Sequence, residues 1–486
     1  MMAASTQIAA DPQQETYQQT RIAHWDALAR QPARRSGWGR AYHRRLAEIY
    51  QFLVVPGLQV LEVGCGQGDL LAALEPAVGV GVDFSAGMLE RARARHPRLQ
   101  FLQADAHDLG ALAGPFDVII LSDLVNDLWD VQAVFAQVAR LATPRTRLIL
   151  NTYSRLWEAP LAWAARLGLA RRTLNQNWFT VADIANLLPL VGFEVIRAWP
   201  EILLPLAVPL AARLCNRFLV KLWPFRTLAL TNFLVVRPAH HPASVEQKPR
   251  VSVIVPARNE AGNVPQIFSR TPDMGGGTEL VFVEGHSRDD TFAAIEHEMA
   301  AWPERACQLH RQGGTGKGDA VRLGFAQARG DILMILDADL TVPPESLPRF
   351  YDVLVSGHGE FVNGVRLVYP MEDNAMRFFN LLGNKFFSLA FTWLLGQPLK
   401  DTLCGTKVLW RADYERIAAN RAYFGDFDPF GDFDLIFGAA RLNLKIVDMP
   451  IRYAARTYGA TNIRRWQHGW LLLRMVLFAA SRLKFV

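Results

Sequence analysis

Two carboxylates one residue apart close an apolar run in Ile335-Leu336-Asp337-Ala338-Asp339-Leu340. Oxygens spaced in this way can hold Mg2+ or Mn2+, and such an ion neutralises a diphosphate as it leaves. The pair has company that strengthens it. Pro256-Ala257-Arg258-Asn259-Glu260 follows one apolar run, Glu284 and Asp289 follow the next, and Gly316-Lys317-Gly318-Asp319 precedes the pair. A second constellation lies in the other half of the chain, where Glu62-Val63-Gly64-Cys65-Gly66-Gln67-Gly68 joins an apolar run to a helix-like segment. Glycines in that setting let backbone approach a nucleotide. Asp83 ends the next run, 19 residues beyond Gly64, where a carboxylate can accept both hydroxyl protons of a ribose. Asp105 ends a third.

These residues need strands to carry them and helices to cover the strands. In the first half, the runs 58–63, 78–83, 99–105, 116–123 and 147–153 read as strands, with helix-like segments at 87–95 and 131–141. In the second half, 251–257, 279–285, 331–339 and 444–454 read the same way. Alternation of this sort predicts α/β architecture with parallel sheets covered on both faces. Arg237 to Arg250 holds three prolines and nearly no large apolar residue, as a linker would. The expected organisation is a disordered start at 1–20, one domain at 21–238, a linker at 239–249 and a second domain at 250–486. Half of the 486 residues are hydrophobic and a fifth are charged, enough to bury two substantial cores.

The first constellation resembles the class I S-adenosylmethionine-dependent methyltransferases over roughly 40–238. The resemblance implies that Glu62, Gly64, Gly66 and Gly68 shape the loop beside the methionine part of S-adenosylmethionine. It also implies that Asp83 holds the ribose, that Asp105 and Ala106 meet the adenine edge, and that Ser122 and Asp123 border the transfer pocket. Asp123, Asn126 and Asp127 read equally well as helix-capping residues. Methyl transfer is a direct displacement in which orientation supplies much of the rate, so the acceptor is not legible from a diagnostic base. A nicotinamide dehydrogenase is disfavoured by the GxGxG spacing and the leading Glu62.

The second constellation resembles the inverting family-2 glycosyltransferases of GT-A fold, in particular the branch that includes dolichol-phosphate mannose and glucose synthases. The fold implied for the chain is therefore two Rossmann-like domains, a class I methyltransferase fold followed by a GT-A fold. In that likeness Pro256, Asn259, Glu260 and Glu284 line a nucleoside pocket, Lys317 approaches the nucleotide, and Asp337 with Asp339 carry Mg2+ or Mn2+ and the sugar diphosphate. Asp401-Thr402-Leu403-Cys404-Gly405-Thr406-Lys407 matches an element of the lipid-phosphate branch, and Gly431-Asp432-Phe433-Asp434 its acidic element. Arg456-Thr457-Tyr458-Gly459-Ala460-Thr461-Asn462 resembles a further element whose usual lysine is Asn462 here, and Arg464 or Arg465 would cover the missing charge. The partners implied are a nucleoside-diphosphate sugar and a polyprenyl phosphate. An acceptor hydroxyl would need a base, for which Asp432 is the candidate, whereas a lipid phosphate is already an anionic nucleophile. The competing reading keeps the glycosyltransferase with a soluble or polysaccharide hydroxyl acceptor and makes the first half a non-catalytic cofactor-binding scaffold.

The formal charge of +6 is unevenly placed: residues 451–486 carry seven Arg or Lys and no Asp or Glu, leaving the other 450 at −1. Trp466, Trp470, Leu473 and Leu477 recur among these cations, a pattern suited to an anionic membrane surface rather than to nucleic acid. A second amphipathic pattern runs from Asn374 to Thr392, with Phe379, Leu382, Phe386, Leu389 and Trp393 on one face. The longest uncharged stretch, 14 residues between Lys385 and Lys400, is too short to span a bilayer. The start of the chain lacks the pattern of a secretory signal. Four unpaired-looking cysteines at 65, 215, 307 and 404 suit a reducing compartment. The expected location is cytoplasmic, peripheral to the inner face of the membrane.

Overall fold

The computed structural model describes residues 12–31, 37–167, 174–239, 248–366, 378–425, 428, 431–454, 456, 458 and 465–486. The chain divides into two compact units, Met1–Ala239 and His240–Val486.

The N-terminal unit is built on seven strands, β1 (Gln59–Val63), β2 (Val78–Asp83), β3 (Gln100–Gln103), β4 (Val118–Ser122), β5 (Arg147–Tyr153), β6 (Phe193–Glu201) and β7 (Thr231–Pro238). Their order in the sheet is β3-β2-β1-β4-β5-β7-β6. β1 to β5 are parallel, and β7 runs antiparallel between β5 and β6. Continuous Val, Ile and Leu runs are what a strand covered on both faces requires. Val134, Phe135 and Val138 of the helix Val131–Leu141 cover one face, and Leu46, Ile49 and Tyr50 of the helix Gly37–Leu53 the other. β6 and β7 were not foreseen from the sequence.

The C-terminal unit repeats the plan with β8 (Val251–Ala257), β9 (Thr278–Glu284), β10 (Cys307–Arg311), β11 (Ile332–Ile335), β12 (Phe361–Val365), β13 (Lys407–Trp410) and β14 (Ile446–Pro450). The order is β10-β9-β8-β11-β13-β12-β14, with β13 antiparallel to both of its neighbours. In each sheet the strand order reverses beside the first strand, at β1/β4 and at β8/β11. The crevice outside the carboxyl ends at such a reversal is where open α/β sheets receive ligands. The Glu62–Gly68 loop leaves β1, and Asp337-Ala338-Asp339 leaves β11.

The structure corrects the reading of the chain's start. Residues 12–20, expected to be disordered, form the first half of a helix, Pro12–Arg30. Tyr17, Arg21 and Trp25 recur on one face of this helix, and each reaches the loop after β4. The Tyr17 hydroxyl donates to Leu128 O (3.3 Å), Arg21 Nε to Asp127 Oδ1 (2.9 Å), and Trp25 Nε1 to Asp127 Oδ2 (3.2 Å). These bonds give the segment the tertiary support that its weak amphipathicity lacks.

The two amphipathic patterns are helices, Phe378–Leu395 and Arg465–Ala479. In the first, the polar stripe is partly turned inward: Ser388 Oγ and Thr392 Oγ1 donate to Leu399 O at 3.2 and 3.4 Å. Phe386 and Leu389 stand exposed while Phe391, Leu394 and Leu395 are buried. In the second, Trp470 and Leu477 are exposed while Leu472, Met475 and Ala479 are buried. No described helix is long and apolar enough to cross a membrane. Residues 374–377, with which the first pattern was expected to open, lie outside the described residues.

Candidate active sites

The loop after β1 places Gly64, Gly66 and Gly68 at φ 76°, 51° and 74°, conformations that side chains rarely adopt. A Cβ on Gly64 would meet Leu124 at 2.8 Å and one on Gly68 would meet Phe101 at 2.7 Å, whereas Gly66 faces open space. Asp83, at the end of β2, ties the loop down. Its Oδ2 accepts from Gly66 N (2.8 Å) and its Oδ1 from Ser85 N (2.9 Å). Burial raises the Asp83 carboxyl, against the opposing pull of these two bonds.

Glu62 is buried behind the loop and accepts from Leu71 N (3.1 Å), linking β1 to the following helix. Burial pushes its carboxyl up to about 8. Asp105 accepts from the backbone N and Nδ1 of His107 at 2.8 and 2.6 Å; burial alone would raise its carboxyl, but His107 holds it below the usual range.

Gly64, Asp83, Asp105 and Ala106 line one cleft of about 470 Å3, including its open mouth. Glu62, Gly66 and Gly68 support the loop from outside that lining. Tyr17, Arg21, His107 and Trp129 also face the cleft. The spacing of Tyr17, Arg21 and Trp25, four residues apart, was the available sequence signal for this closing helix. The cleft therefore offers a positive-φ glycine turn, a ribose-spaced carboxylate and an aromatic and cationic cover, a donor set that fits S-adenosylmethionine.

Asp123 follows β4 in the left-handed region at φ 54°. Its Oδ1 accepts from Tyr42 Oη (2.7 Å) and from Asn151 Nδ2 (2.5 Å), and Tyr50 Oη donates to Asn151 Oδ1 (2.8 Å). Burial raises the Asp123 carboxyl. This strained, half-buried acid was singled out in the sequence, whereas Tyr42 and Asn151 were not. Asp127 instead anchors Arg21. Asn126 clasps a neighbouring loop, donating to Asn177 O (2.6 Å) and accepting from Tyr153 N (3.1 Å). The helix Val131–Leu141 is capped by Asp130, not by any of these three.

In the C-terminal unit, Asp337 and Lys317 pair at 2.6 Å, both half-buried. Burial would raise the Asp337 carboxyl, but Lys317, with Lys407 and Arg366 farther off, holds it below the usual carboxylate range. Asp339 accepts from Thr341 N and Oγ1 at 3.1 and 2.7 Å, and its other oxygen lies 3.3 Å from Arg456 Nη2. The same Arg456 nitrogen donates to Glu260 Oε1 at 2.6 Å. Arg456 thus bridges the loop after β8 to the carboxylate pair, a link 196 residues long in sequence.

Glu260 was expected to line a nucleoside pocket. It is buried, also accepts from Asn263 Nδ2 (2.7 Å), and serves to hold Arg456. Asn259, at φ 57°, accepts from Arg288 N (2.7 Å) and donates its N–H to Ser287 Oγ (3.0 Å), and Glu284 accepts from Ser287 N (2.5 Å). Asn259 and Glu284 therefore shape two adjoining loops at the strand ends, and Pro256 lies within β8 opposite Val283. Arg464 lies outside the described residues.

The 401–407 turn wraps against this centre. Asp401 receives Arg366 through two bonds, Nε to Oδ2 (2.7 Å) and Nη2 to Oδ1 (2.9 Å), and also accepts from the N–H groups of Leu403 and Cys404 at 3.0 and 3.1 Å. A Cβ on Gly405 would collide with Asp337 Oδ2 and Lys317 Nζ, so any larger residue would have to displace that pair. Lys407 is wholly buried, donates to Cys404 O and lies 3.7 Å from Asp432 Oδ1. That oxygen is buried and accepts no hydrogen bond among the described residues. Arg366 was missed in the sequence because nothing local marks a lone arginine after a strand.

Among the described residues no group of three or more His, Cys, Asp and Glu gathers to hold a metal. Asp337 and Asp339 fit an ion that takes most of its oxygens from phosphates and water, as Mg2+ commonly does.

Residues 252–416 match the family described as glycosyl transferase family 2, and residues 60–145 match a family described as methyltransferase domain. The chain is 34% identical over 219 residues to dolichol-phosphate mannosyltransferase of Pyrococcus furiosus, covering 44% of this chain and 59% of that protein. It is 31% identical over 179 residues to undecaprenyl-phosphate 4-deoxy-4-formamido-L-arabinose transferase of Pseudomonas aeruginosa, covering 35% and 50%. Polyprenol monophosphomannose synthase of Mycolicibacterium smegmatis is 28% identical over 228 residues, covering 46% and 84%. The chain thus spans little more than half the length of the first two relatives. One polypeptide accordingly joins a segment, 60–145, that matches a methyltransferase domain to a segment, 252–416, that matches glycosyl transferase family 2, each on its own seven-stranded α/β sheet.

Proposed function

We propose that the C-terminal unit transfers a sugar, with inversion, from a nucleoside diphosphate to a polyprenyl phosphate, and that the N-terminal unit binds S-adenosylmethionine and methylates an acceptor. The observation that carries the first part is the packing of the 401–407 turn onto the carboxylate pair. The turn brings Arg366 and Lys407 beside the Lys317–Asp337 pair and Asp432, while Arg456 approaches Asp339 from the chain's later segment. Such a centre suits two phosphorylated substrates, one leaving and one attacking.

In this reading a phosphate oxygen of the acceptor attacks the anomeric carbon as the bond to the nucleoside diphosphate breaks. The attacking phosphate is already anionic, so no base is required, and alignment with cationic screening supplies the rate. Mg2+ or Mn2+, held by Asp337 and Asp339, would neutralise the departing diphosphate. Lys317 holds Asp337 in place before the donor arrives. Asp432, paired with the Lys407 ammonium, orients the acceptor or the sugar. The relatives named for dolichol, undecaprenyl and polyprenol phosphates support this acceptor class.

The basic tail and the exposed Phe386, Leu389, Trp470 and Leu477 would seat this unit on the inner face of the membrane from the cytoplasm. In the N-terminal unit the cleft lined by Gly64, Asp83, Asp105 and Ala106 supports the cofactor.

The test incubates purified protein and Mg2+ or Mn2+ with polyprenyl phosphate and labelled nucleotide sugars, followed by organic extraction. Label in the lipid phase, lost in Asp337→Asn/Asp339→Asn, is the expected result. Without lipid label but with donor bound, the acceptor is a hydroxyl, and Asp432→Asn should then abolish transfer to it.

A further inference from the structure

We propose that the N-terminal unit has its own membrane-docking face, formed by the strap 203–228 and the helix Glu158–Arg166, and that this face seats the methyltransferase on a bilayer with anionic headgroups. The proposal is independent of the glycosyl acceptor, which the extraction assay tests by itself.

The strap is pinned from its inner side by polar contacts. Lys221, buried, pairs with Glu201 of β6. Asn216 Oδ1 accepts from Leu203 N and Leu204 N at 2.8 and 2.7 Å, and its Nδ2 donates to Leu204 O at 2.7 Å. Trp157 Nε1 donates to Leu228 O (2.9 Å), which joins the start of the helix Glu158–Arg166 to the end of the strap.

With Lys221 and Asn216 turned inward, the strap leaves many of its apolar side chains outside. Leu210 is 86% exposed and Trp223 80%, with Leu214 and Leu228 also exposed, and Trp163 and Leu167 exposed on and just beyond the helix. Eight of the nineteen exposed large hydrophobic residues among the described ones fall within 203–228, a concentration that single surface leucines do not produce.

Charge selects the occupant. Residues 202–230 contain Arg213, Arg217, Lys221 and Arg226 and no Asp or Glu. Lys221 is committed inward, while Arg213 and Arg226 are exposed beside the leucines. Arg166 lies over the Trp163 ring at 5.8 Å from its centroid, and Arg217 over Phe218 at 5.9 Å. Tryptophan and leucine interleaved with arginine suit the boundary between acyl chains and anionic headgroups, where arginine stems lie along apolar surface and guanidinium groups reach phosphate. A second copy of the chain would bring the same cationic face against itself, and the like charges would oppose that contact. The consequence is that the methyl acceptor is presented at the bilayer surface.

The experiment follows amide hydrogen exchange in the full chain with phosphatidylethanolamine–phosphatidylglycerol vesicles and with phosphatidylcholine vesicles. A Trp470→Ser/Leu477→Ser background silences the C-terminal contact. Protection of 208–228 by the anionic vesicles, retained in that background, is expected. Adding Leu210→Ser/Trp223→Ser should lower the vesicle-bound fraction about tenfold or more. Both sites are exposed, and unchanged S-adenosylmethionine binding reports an intact unit. The proposal fails if 208–228 stays unprotected while the chain is bound through its tail, or if neutral vesicles protect it equally. It fails too if protection grows with protein concentration in the absence of lipid, which would identify a second copy as the occupant.

Discussion

Two buried ionisable groups carry most of what individual residues decide in this chain. Glu62 has its carboxyl raised by burial from 4.5 to about 8, so between those pH values the native state keeps a proton that the unfolded chain has released. The contribution of this group to stability is therefore present at low pH and lost as pH rises through the window, with a slope of up to about 1.4 kcal/mol per pH unit. Glu62→Gln, which can still accept from Leu71 N, should remove that slope from denaturant-melt stabilities of the N-terminal unit measured between pH 5 and 8. Lys407 is the counterpart in the C-terminal unit. Lys407→Met strands Asp432 as an uncompensated buried carboxylate and should cost about 3–5 kcal/mol in chemical denaturation. Lys407→Met/Asp432→Asn should recover part of that loss, because the stranded charge is gone.

Among the elements, the helix Pro12–Arg30 has the most to say about binding. It reaches the cleft by a few side-chain bonds rather than by a deep apolar face, and Arg21 makes the most of them, to Asp127 O, Asp127 Oδ1 and Asn175 O. Arg21→Ala should speed amide exchange across 12–30 and weaken S-adenosylmethionine binding about tenfold by calorimetry, with little change in the melting of the sheet. The element joining β12 to β13 works by a different means. Arg366 and Asp401 brace the 401–407 turn, and Gly405 lets it close on Asp337. A strand that returns antiparallel through β13 is what delivers Lys407 to Asp432.

For the whole molecule, two sheets with separate cores imply separable chemistry. Asp83→Asn should weaken S-adenosylmethionine binding at least tenfold and leave glycosyl transfer within about twofold, since the Asp83 carboxylate bonds to the loop and helix start of its own unit. Asp337→Asn/Asp339→Asn should do the reverse, abolishing transfer of label while calorimetry of S-adenosylmethionine is unchanged. Loss of both activities from either change would show that the units depend on each other. Exposed apolar side chains occur in both units, at 203–228 and along the helices 378–395 and 465–479, as expected if each unit meets its acceptor at a membrane.

The amino-acid sequence alone determined the two α/β folds and the residues at their strand ends. An apolar run, a glycine that must take positive φ and an acid closing the next strand are local signals, and β2, β5 and β8 begin and end where those signals lie. Tertiary structure decided what those residues touch. Arg456 meets both Glu260 and Asp339, and Tyr17 reaches the loop after β4 from more than a hundred residues away. Side-chain pairing over such distances has no period and leaves no pattern in the chain. The same holds for orientation. Ser388 and Thr392 lie off the apolar face and would ordinarily meet water, yet they turn inward to donate to the Leu399 carbonyl, and Phe386 and Leu389 are left outside. Periodicity divides a helix into faces, and only the surrounding partners decide which face is buried.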